Sequence, residues 1–148
     1  MAFCYLLCVA AGSSVDRFSN NPSLFGLIEQ VNVRPDAQPP RSGVLPVEVH
    51  AYFQLSEIEQ AREFQVRLVL AAESGLETFG EPFGGRATAG RFRVRTLGVP
   101  YPPVLGQYTL RVEFRMLSDQ GGEDSWQRQA ASWPIAFRQL EQRPRVTH

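Results

Sequence analysis

The chain has 148 residues, of which 43% are hydrophobic and 20% are charged. A domain of this size buries a core without disulfide or metal staples. Its 15 basic and 15 acidic side chains cancel to a formal net charge of zero. This balance argues against a general binder of nucleic acid or of membrane surfaces, because nonspecific phosphate binding depends on excess positive charge.

The N-terminal segment indicates a reducing compartment. If Cys4 and Cys8 share one strand, their Cα atoms lie about 13 Å apart at roughly 3.3 Å per residue, whereas a disulfide needs about 7 Å or less. We therefore expect free thiols and a cytoplasmic protein. Met1 to Ala11 lacks the positive start and the long apolar stretch of a signal peptide, so we interpret it as the first strand. No apolar run is long enough to span a membrane.

Two strands are predicted before residue 34. Ala2 to Val9 is apolar on both faces, so we expect it to be covered on both sides, by other strands or by a partner chain. Gly12 to Pro22 is a polar loop. Leu24 to Val33 is the second strand, with Gly26 as a bulge or a point of close contact. The Pro-rich segment Arg34 to Pro46 then forms an extended surface crossover.

Two further strands flank a predicted helical turn. Val47 to Leu55 alternates between apolar and polar residues, which places His50 and Tyr52 on its outer face. Ser56-Glu-Ile-Glu59 fits a capping box, but too few residues follow it for a helix, so we expect one helical turn. Phe64 to Leu70 alternates again and is the next strand.

The second half of the chain supplies the remaining strands. The Gly-rich segment Glu77 to Gly90 is a weak strand, at a sheet edge or in a loop. Arg91 to Leu97 and Tyr108 to Met116 both alternate, with apolar residues inward and polar residues outward. Trp126 to Phe137 is the last strand, and Pro134 within it suits an edge or a bulge.

These elements predict an all-β fold, a single immunoglobulin-like or related antiparallel β-sandwich of seven to eight strands. The sandwich spans residues 1–138, and residues 139–148 form a polar tail. Ser118 to Asp124 is a polar hairpin loop between the last two strands. Gly106-Gln-Tyr108 fits a tyrosine corner, in which a tyrosine early in a late strand bonds back to the preceding loop.

No motif in the sequence points to catalysis, a cofactor or a metal. A nucleophile–base pair needs a Ser or Cys beside a His, and the chain has only His50 and His148. His148 ends the chain, and an outward His50 between Glu48 and Tyr52 fits a solvated surface residue. The sequence has no Gly-x-Ser-x-Gly elbow, phosphate loop or metal-spaced His/Cys set. We therefore expect a non-enzymatic protein.

Arginines supply the first candidate binding surface. Five of them form two rows on predicted strand faces: Arg91, Arg93 and Arg95 at two-residue spacing in one row, and Arg111 and Arg115, four residues apart, in the other. If the two faces join, they form a basic patch that can hold a phosphate or a carboxylate. The alternative is cross-strand pairing with acidic side chains such as Glu48 and Glu113, which the neutral net charge favours.

Aromatic residues supply a second candidate. The outer strand faces would bring together a polar-aromatic surface suited to sugars or peptides, made of His50, Tyr52, Gln54 and Arg67. Trp126 and Trp133 are seven residues apart and therefore lie on opposite faces of an ideal strand. An exposed Trp would mark a binding position, and core packing is the alternative for both.

One block of sequence carries a family resemblance. An apolar first strand and a loop precede Ser-Leu-Phe-Gly-Leu-Ile-Glu-Gln-Val (Ser23 to Val31), and a Pro-rich crossover and a Gly-x-Tyr strand follow it. With this pattern, from Phe3 to Phe137, the chain resembles a family of small bacterial proteins of unknown function. The resemblance implies a β-sandwich and supplies no activity, cofactor or catalytic residue.

Two functions follow from these patterns. The first is a non-enzymatic interaction module that binds a protein partner, or a second copy of itself as a homo-oligomer, through edge strands or the apolar first strand. The alternative is a ligand-binding sandwich that recognises an anionic or carbohydrate ligand through the Arg-rich sheet face. Neither function requires a cofactor, a metal, a membrane or nucleic acid.

Overall fold

Alternating apolar and polar residues build strands that each bury one face. The computed structural model describes residues 2–57, 59–60, 62–87, 90–118 and 125–141. Within these ranges the chain forms ten β-strands and no helix. In chain order the strands are β1 (Phe3–Val15), β2 (Pro22–Leu27), β3 (Gln30–Val33), β4 (Val44–Gln54), β5 (Glu63–Ala72), β6 (Glu77–Phe79), β7 (Phe83–Arg86), β8 (Arg91–Pro100), β9 (Gly106–Met116) and β10 (Gln127–Gln139).

The strands form two sheets. One sheet has four strands in the order β2-β1-β4-β8, and the other has six, in the order β3-β10-β9-β5-β6 with β7 also paired to β5. The ladders are antiparallel except the one between β3 and β10, which is parallel. The predicted all-β sandwich is therefore confirmed. The predicted strand number of seven to eight is too low, since the described residues alone contain ten.

Four phenylalanines join the inner faces of the two sheets. Phe53 of β4 stacks on Phe92 of β8 with ring centroids 5.2 Å apart, and Phe64 of β5 stacks on Phe114 of β9 at 5.5 Å. Across the sandwich, Phe53 meets Phe114 at 5.4 Å and Phe64 meets Phe92 at 5.0 Å. Such pairs contribute about 0.5–1.5 kcal/mol each beyond the area that they bury. The inward positions predicted from alternation thus form the centre of the core.

The first strand is only partly covered. Its pairing register with β4 shifts between Cys4 and Leu6, so a bulge at this point changes the faces that the side chains occupy. Cys4 is buried in the core, whereas Phe3, Tyr5 and Leu6 are about half exposed. Strands of the same chain therefore do not cover both sides of the start of Ala2 to Val9, and its covering by a partner chain stays a prediction.

The predicted second strand divides between the two sheets. Its first part is β2, which pairs with β1, and its second part is β3, which pairs with β10. Between them the Ile28 carbonyl accepts a hydrogen bond from Nε1 of Trp133 at 2.7 Å, which ties the crossing to the opposite sheet. Gly26 has a φ of +61°, and a Cβ there would lie 3.2 Å from Cβ of Ala11. The predicted close contact at Gly26 is confirmed.

Linking segments follow the predictions in part. The Glu59 carboxylate accepts hydrogen bonds from the Ser56 amide at 3.1 Å and from its hydroxyl at 2.8 Å, as in a capping box. The described residues of that segment form a turn and no helix. The Gly-rich segment forms the short strands β6 and β7 at the sheet edge. The predicted hairpin loop and polar tail fall largely on residues 119–124 and 142–148, outside the described residues.

Proline in the last strand sits where β10 has one neighbour. Pro134 pairs with Thr109 of β9, while β3 pairs only with the end of β10 from Ala136 onward. The register with β9 also shifts between Arg128 and Ser132. Both observations confirm the interpretation of Pro134 as an edge or bulge residue, because proline has no amide proton for a second ladder.

The tyrosine corner is present. The Tyr108 hydroxyl donates a hydrogen bond to the carbonyl oxygen of Val104, four residues earlier. Its ring packs edge-on against Phe137 with centroids 6.0 Å apart, and Phe137 contacts Tyr101 in the same way at 5.7 Å. The corner therefore anchors the loop before β9 to the core.

We expect Tyr108→Phe to lower the free energy of unfolding by about 1 kcal/mol, the usual net value of one such hydrogen bond. Urea unfolding followed by fluorescence measures the loss. Tyr101→Phe is the matched control, because it removes a hydroxyl with no hydrogen bond among the described residues and keeps the same aromatic contact. Equal effects of the two substitutions would contradict the assigned corner.

Candidate functional site

The two predicted arginine rows lie on different sheets. Arg91, Arg93 and Arg95 are on β8 of the four-stranded sheet, and Arg111 and Arg115 are on β9 of the six-stranded sheet. Both rows point away from the core, because their neighbours along each strand point into it. They therefore face opposite sides of the sandwich and cannot join into one basic patch.

His50 is buried, which corrects its interpretation as a solvated residue. It lies on the outer face of the four-stranded sheet as predicted, opposite Cys8 of β1 and Arg95 of β8. Only 1% of its surface is exposed. Its Nε2 lies 3.2 Å from Oε2 of Glu48 on the same strand. Alternation predicted the face correctly, but it does not predict how deeply neighbours cover a central strand.

Glu48 is the centre of a buried polar cluster on this face. Its second carboxylate oxygen lies 3.3 Å from Nε of Arg95. The hydroxyl of Ser13, followed by His50 and Arg95, holds the pKa of the Glu48 carboxyl below its ordinary value of 4.5. Arg95 thus forms an ion pair within the protein, which partly compensates its charge.

The remaining predicted residues of this face lie beside the cluster. Arg93 pairs across the ladder with Tyr52, and Arg91 pairs with Gln54. The Tyr52 ring lies 6.1 Å from that of Tyr5. Arg91 and Arg93 of β8, together with Tyr52 and Gln54 of β4, form a polar strip near the edge of the sheet.

The cysteine and histidine of this face do not form a nucleophile and its base. Burial raises the pKa of the Cys8 thiol, and it raises that of Cys4 to about 11. A reactive cysteine needs the opposite shift, because the thiolate is the nucleophile. Nδ1 of His50 is buried and has no hydrogen-bond partner in the described structure.

The outer face of the six-stranded sheet carries a second buried carboxylate. Glu113 accepts a hydrogen bond from Nε of Arg67 at 2.8 Å, and Nε of Arg128 lies 3.6 Å from its other oxygen. The Trp126 ring lies between two guanidinium groups, 4.4 Å from that of Arg67 and 4.2 Å from that of Arg115. Glu113 thus pairs with Arg67 and Arg128 and with no arginine of the predicted rows.

This stack decides three sequence-based interpretations. Arg67 lies on the opposite side of the sandwich from His50 and Tyr52, so the predicted polar-aromatic surface does not form. Trp126 lies on the outer face, whereas Trp133 packs against the core. The prediction of opposite faces is confirmed. The ring of Trp126 is in contact with arginine side chains of the protein itself.

Arg111 differs from the other arginines of its face. Its Nε is buried without a hydrogen-bond partner in the described chain. It lines a cleft of about 480 Å³ together with Thr109 and Gln107 of the same strand. Of the five predicted arginines, Arg111 alone combines a buried unpaired donor with a cleft.

A hairpin beyond the sheet is a feature that the sequence interpretation missed. β1 pairs with β4 as far as Ala10 and then only with β2, so residues 11–27 form a hairpin arm. At its tip the Asp16 carboxylate accepts hydrogen bonds from the Phe18 amide at 3.1 Å and the Ser19 hydroxyl at 2.8 Å. The ordered turn holds Phe18 fully exposed, at 100%.

The arm ends in an apolar edge strand. Phe25 and Leu27 of β2 are 54% and 57% exposed, and they share the outer face through their partners Gly12 and Ala10. Leu97 lies on the same face at the other edge and is 69% exposed. The sequence predicted most of β2 as strand, but it predicted a loop at Gly12 to Pro22, where β1 in fact continues to Val15.

No family model matches the sequence, and no curated protein matches it either. The resemblance to a bacterial family therefore stays a prediction. In the part of the chain that is described, no helix is long and apolar enough to cross a membrane, and no group of three or more His, Cys, Asp or Glu residues could hold a metal ion.

We expect Glu48→Gln to flatten the dependence of stability on pH in the acidic range. Because the folded-state pKa of Glu48 is lowered, its contribution is complete above the ordinary value and is lost as the pH falls through the folded value. The variant should be less stable than the wild type at neutral pH, and the difference should shrink below pH 4.5.

Urea unfolding at several pH values measures this difference. Glu81→Gln serves as the control, because Glu81 is exposed and has no ion pair with a described residue. A Glu48→Gln curve that runs parallel to the wild-type curve would show that the cluster does not stabilise the ionised carboxylate.

Proposed function

We propose that this protein is a non-enzymatic interaction module that binds a second copy of itself through the hairpin arm. The observation that carries the proposal is Phe18, a fully exposed aromatic side chain on a hydrogen-bonded turn. Exposed aromatic residues on ordered supports are typical anchors of protein interfaces. The turn is already in place, so binding would cost little ordering of the backbone.

The edge strand β2 supports pairing with another strand. It has the sequence Pro-Ser-Leu-Phe-Gly-Leu and no charged residue. Among the described residues only β1 pairs with it, so in this part of the chain its other edge has backbone groups free for a further ladder. Protective charges are common on edge strands because they prevent such pairing. β8, at the opposite edge, carries three arginines on its outer face.

A second copy is the partner that fits this edge best. Two β2 strands in antiparallel register are related by a two-fold axis, and an uncharged strand opposes itself without repulsion. Antiparallel pairing would also bring Phe18 of one copy toward the end of β2 that carries Leu27 in the other. The exposed apolar side chains of both arms would then be buried together.

We also propose the finer classification as an immunoglobulin-like sandwich in a reducing, cytoplasmic compartment. The tyrosine corner at Tyr108 supports the first, since it is a hallmark of that class. The second is supported by Cys4 and Cys8, which are free thiols. Disulfides are rare where thiols are kept reduced.

Anion recognition by a single Arg-rich face has less support. The five arginines are divided between two outer faces, and Arg95 is paired with Glu48. Arg111 is the member of the set whose surroundings favour a ligand. Any ligand-binding role would therefore belong to the cleft beside Arg111.

We expect Phe25→Arg to abolish dimer formation, because the two-fold axis would place the new charges close together at the centre of the interface. Phe18→Ser should weaken the dimer by removing its anchor. Leu97→Arg is the matched control, since Leu97 lies on the same outer face but at the other edge. Sedimentation velocity over a range of protein concentrations measures the dimer in each case.

Two results would overturn the proposal. A wild-type protein that sediments as a monomer throughout the concentration range would exclude self-association. Dissociation by Leu97→Arg to the same extent as by Phe25→Arg would place the contact on the outer face of the sheet and not at the β2 edge.

A further inference from the structure

We infer that the cleft beside Arg111 binds a small organic carboxylate. The site lies on the outer face of the six-stranded sheet, away from the hairpin arm, and is independent of the proposed dimer. The inference depends on three observations: an unpaired buried donor, a cleft of ligand size, and the charges that surround it.

The donor is Nε of Arg111, in the middle of β9. The strands on either side contribute Val69 and Ser132 at the paired positions. Nε is shielded from solvent and makes no hydrogen bond within the described chain. A buried donor without a partner costs free energy, so such groups are rare unless a ligand or water completes them.

Other arginines on this face form ion pairs with acidic side chains. Arg67 is bound to Glu113 at 2.7 Å, and Arg128 reaches Glu77 at 2.5 Å. Arg111 has no equivalent carboxylate among the described residues. The face thus supplies acids to Arg67 and Arg128, whereas Arg111 lines the cleft without an ion pair to a described residue.

The cleft has the size and the polar groups of a small-molecule site. Its volume is about 480 Å³, within the range of about 300–1,000 Å³ that is common for ligand pockets. Thr109 and Gln107 follow Arg111 along the same strand face, so a hydroxyl and an amide extend the polar floor. Pro134, which pairs with Thr109, also lines the cleft and has no amide proton to donate.

The surrounding charges favour a single negative charge. Arg111 is the cation of the lining, and Glu73 is an exposed acid on its rim. A phosphate dianion would be repelled by Glu73 and matched by only one guanidinium group. A carboxylate carries one charge and accepts two parallel hydrogen bonds from a guanidinium group, which is the geometry that arginine supports best.

Benzoate is the probe that tests this inference, with benzamide as its uncharged counterpart and inorganic phosphate as the competing anion. Titration of ¹⁵N-labelled protein with benzoate should shift the Arg111 Nε resonance to saturation. Benzamide and phosphate should leave it unchanged. This signal reports on the proposed donor directly, in the intact chain.

Arg111→Gln should weaken benzoate binding about tenfold or more, the effect of losing a hydrogen bond between charged partners. Arg93→Gln is the control, because Arg93 lies on the other sheet and should leave binding unchanged. Thermal unfolding of both variants confirms that each is folded before affinity is compared.

Each result decides the inference. A saturating shift that Arg111→Gln abolishes supports it. No shift of the Arg111 signal with benzoate, or binding that persists in Arg111→Gln, overturns it. A shift with phosphate and none with benzoate would overturn the assignment of a carboxylate.

Discussion

Contact between two pairs of phenylalanine rings in the core determines which residues of the central strands face inward and which face outward. Phe53 and Phe92 on one sheet interlock with Phe64 and Phe114 on the other, at centroid separations of 5.0–5.5 Å. Once these side chains are inward, every second residue of β4, β5, β8 and β9 must be outward. The aromatic contact therefore determines which arginines face solvent, and it separates them onto the two sides of the sandwich.

Each outer face carries a buried glutamate carboxylate that forms an ion pair with arginine. Glu48 contacts His50 and Arg95 on one side, and Glu113 contacts Arg67 and Arg128 on the other. In both arrangements, ion pairs compensate the charge of a carboxylate that is buried away from water. They also engage Arg95 on one face and Arg67 and Arg128 on the other, and the hairpin arm and the cleft at Arg111 lie outside both clusters.

The sequence predicted those features that depend on residues close together along the chain. Alternation located the inward residues of β4, β5 and β9, and the Gly-x-Tyr spacing located the corner at Tyr108. Long-range pairing is not encoded in such patterns, so the sheets that hold Arg95 and Arg111 were beyond reach. The bulge after Cys4 and the burial of His50 depend on neighbours distant in sequence, and both had to come from the three-dimensional arrangement.

The hairpin arm lies at one edge of the four-stranded sheet, and the Arg111 cleft opens on the outer side of the other sheet. Antiparallel pairing of two β2 strands uses a two-fold axis perpendicular to the joined sheets, which keeps the same face of each copy on the same side. Both clefts of such a dimer would open in one direction. The assembly would then be bivalent toward a surface that displays carboxylates, with avidity that a single chain lacks.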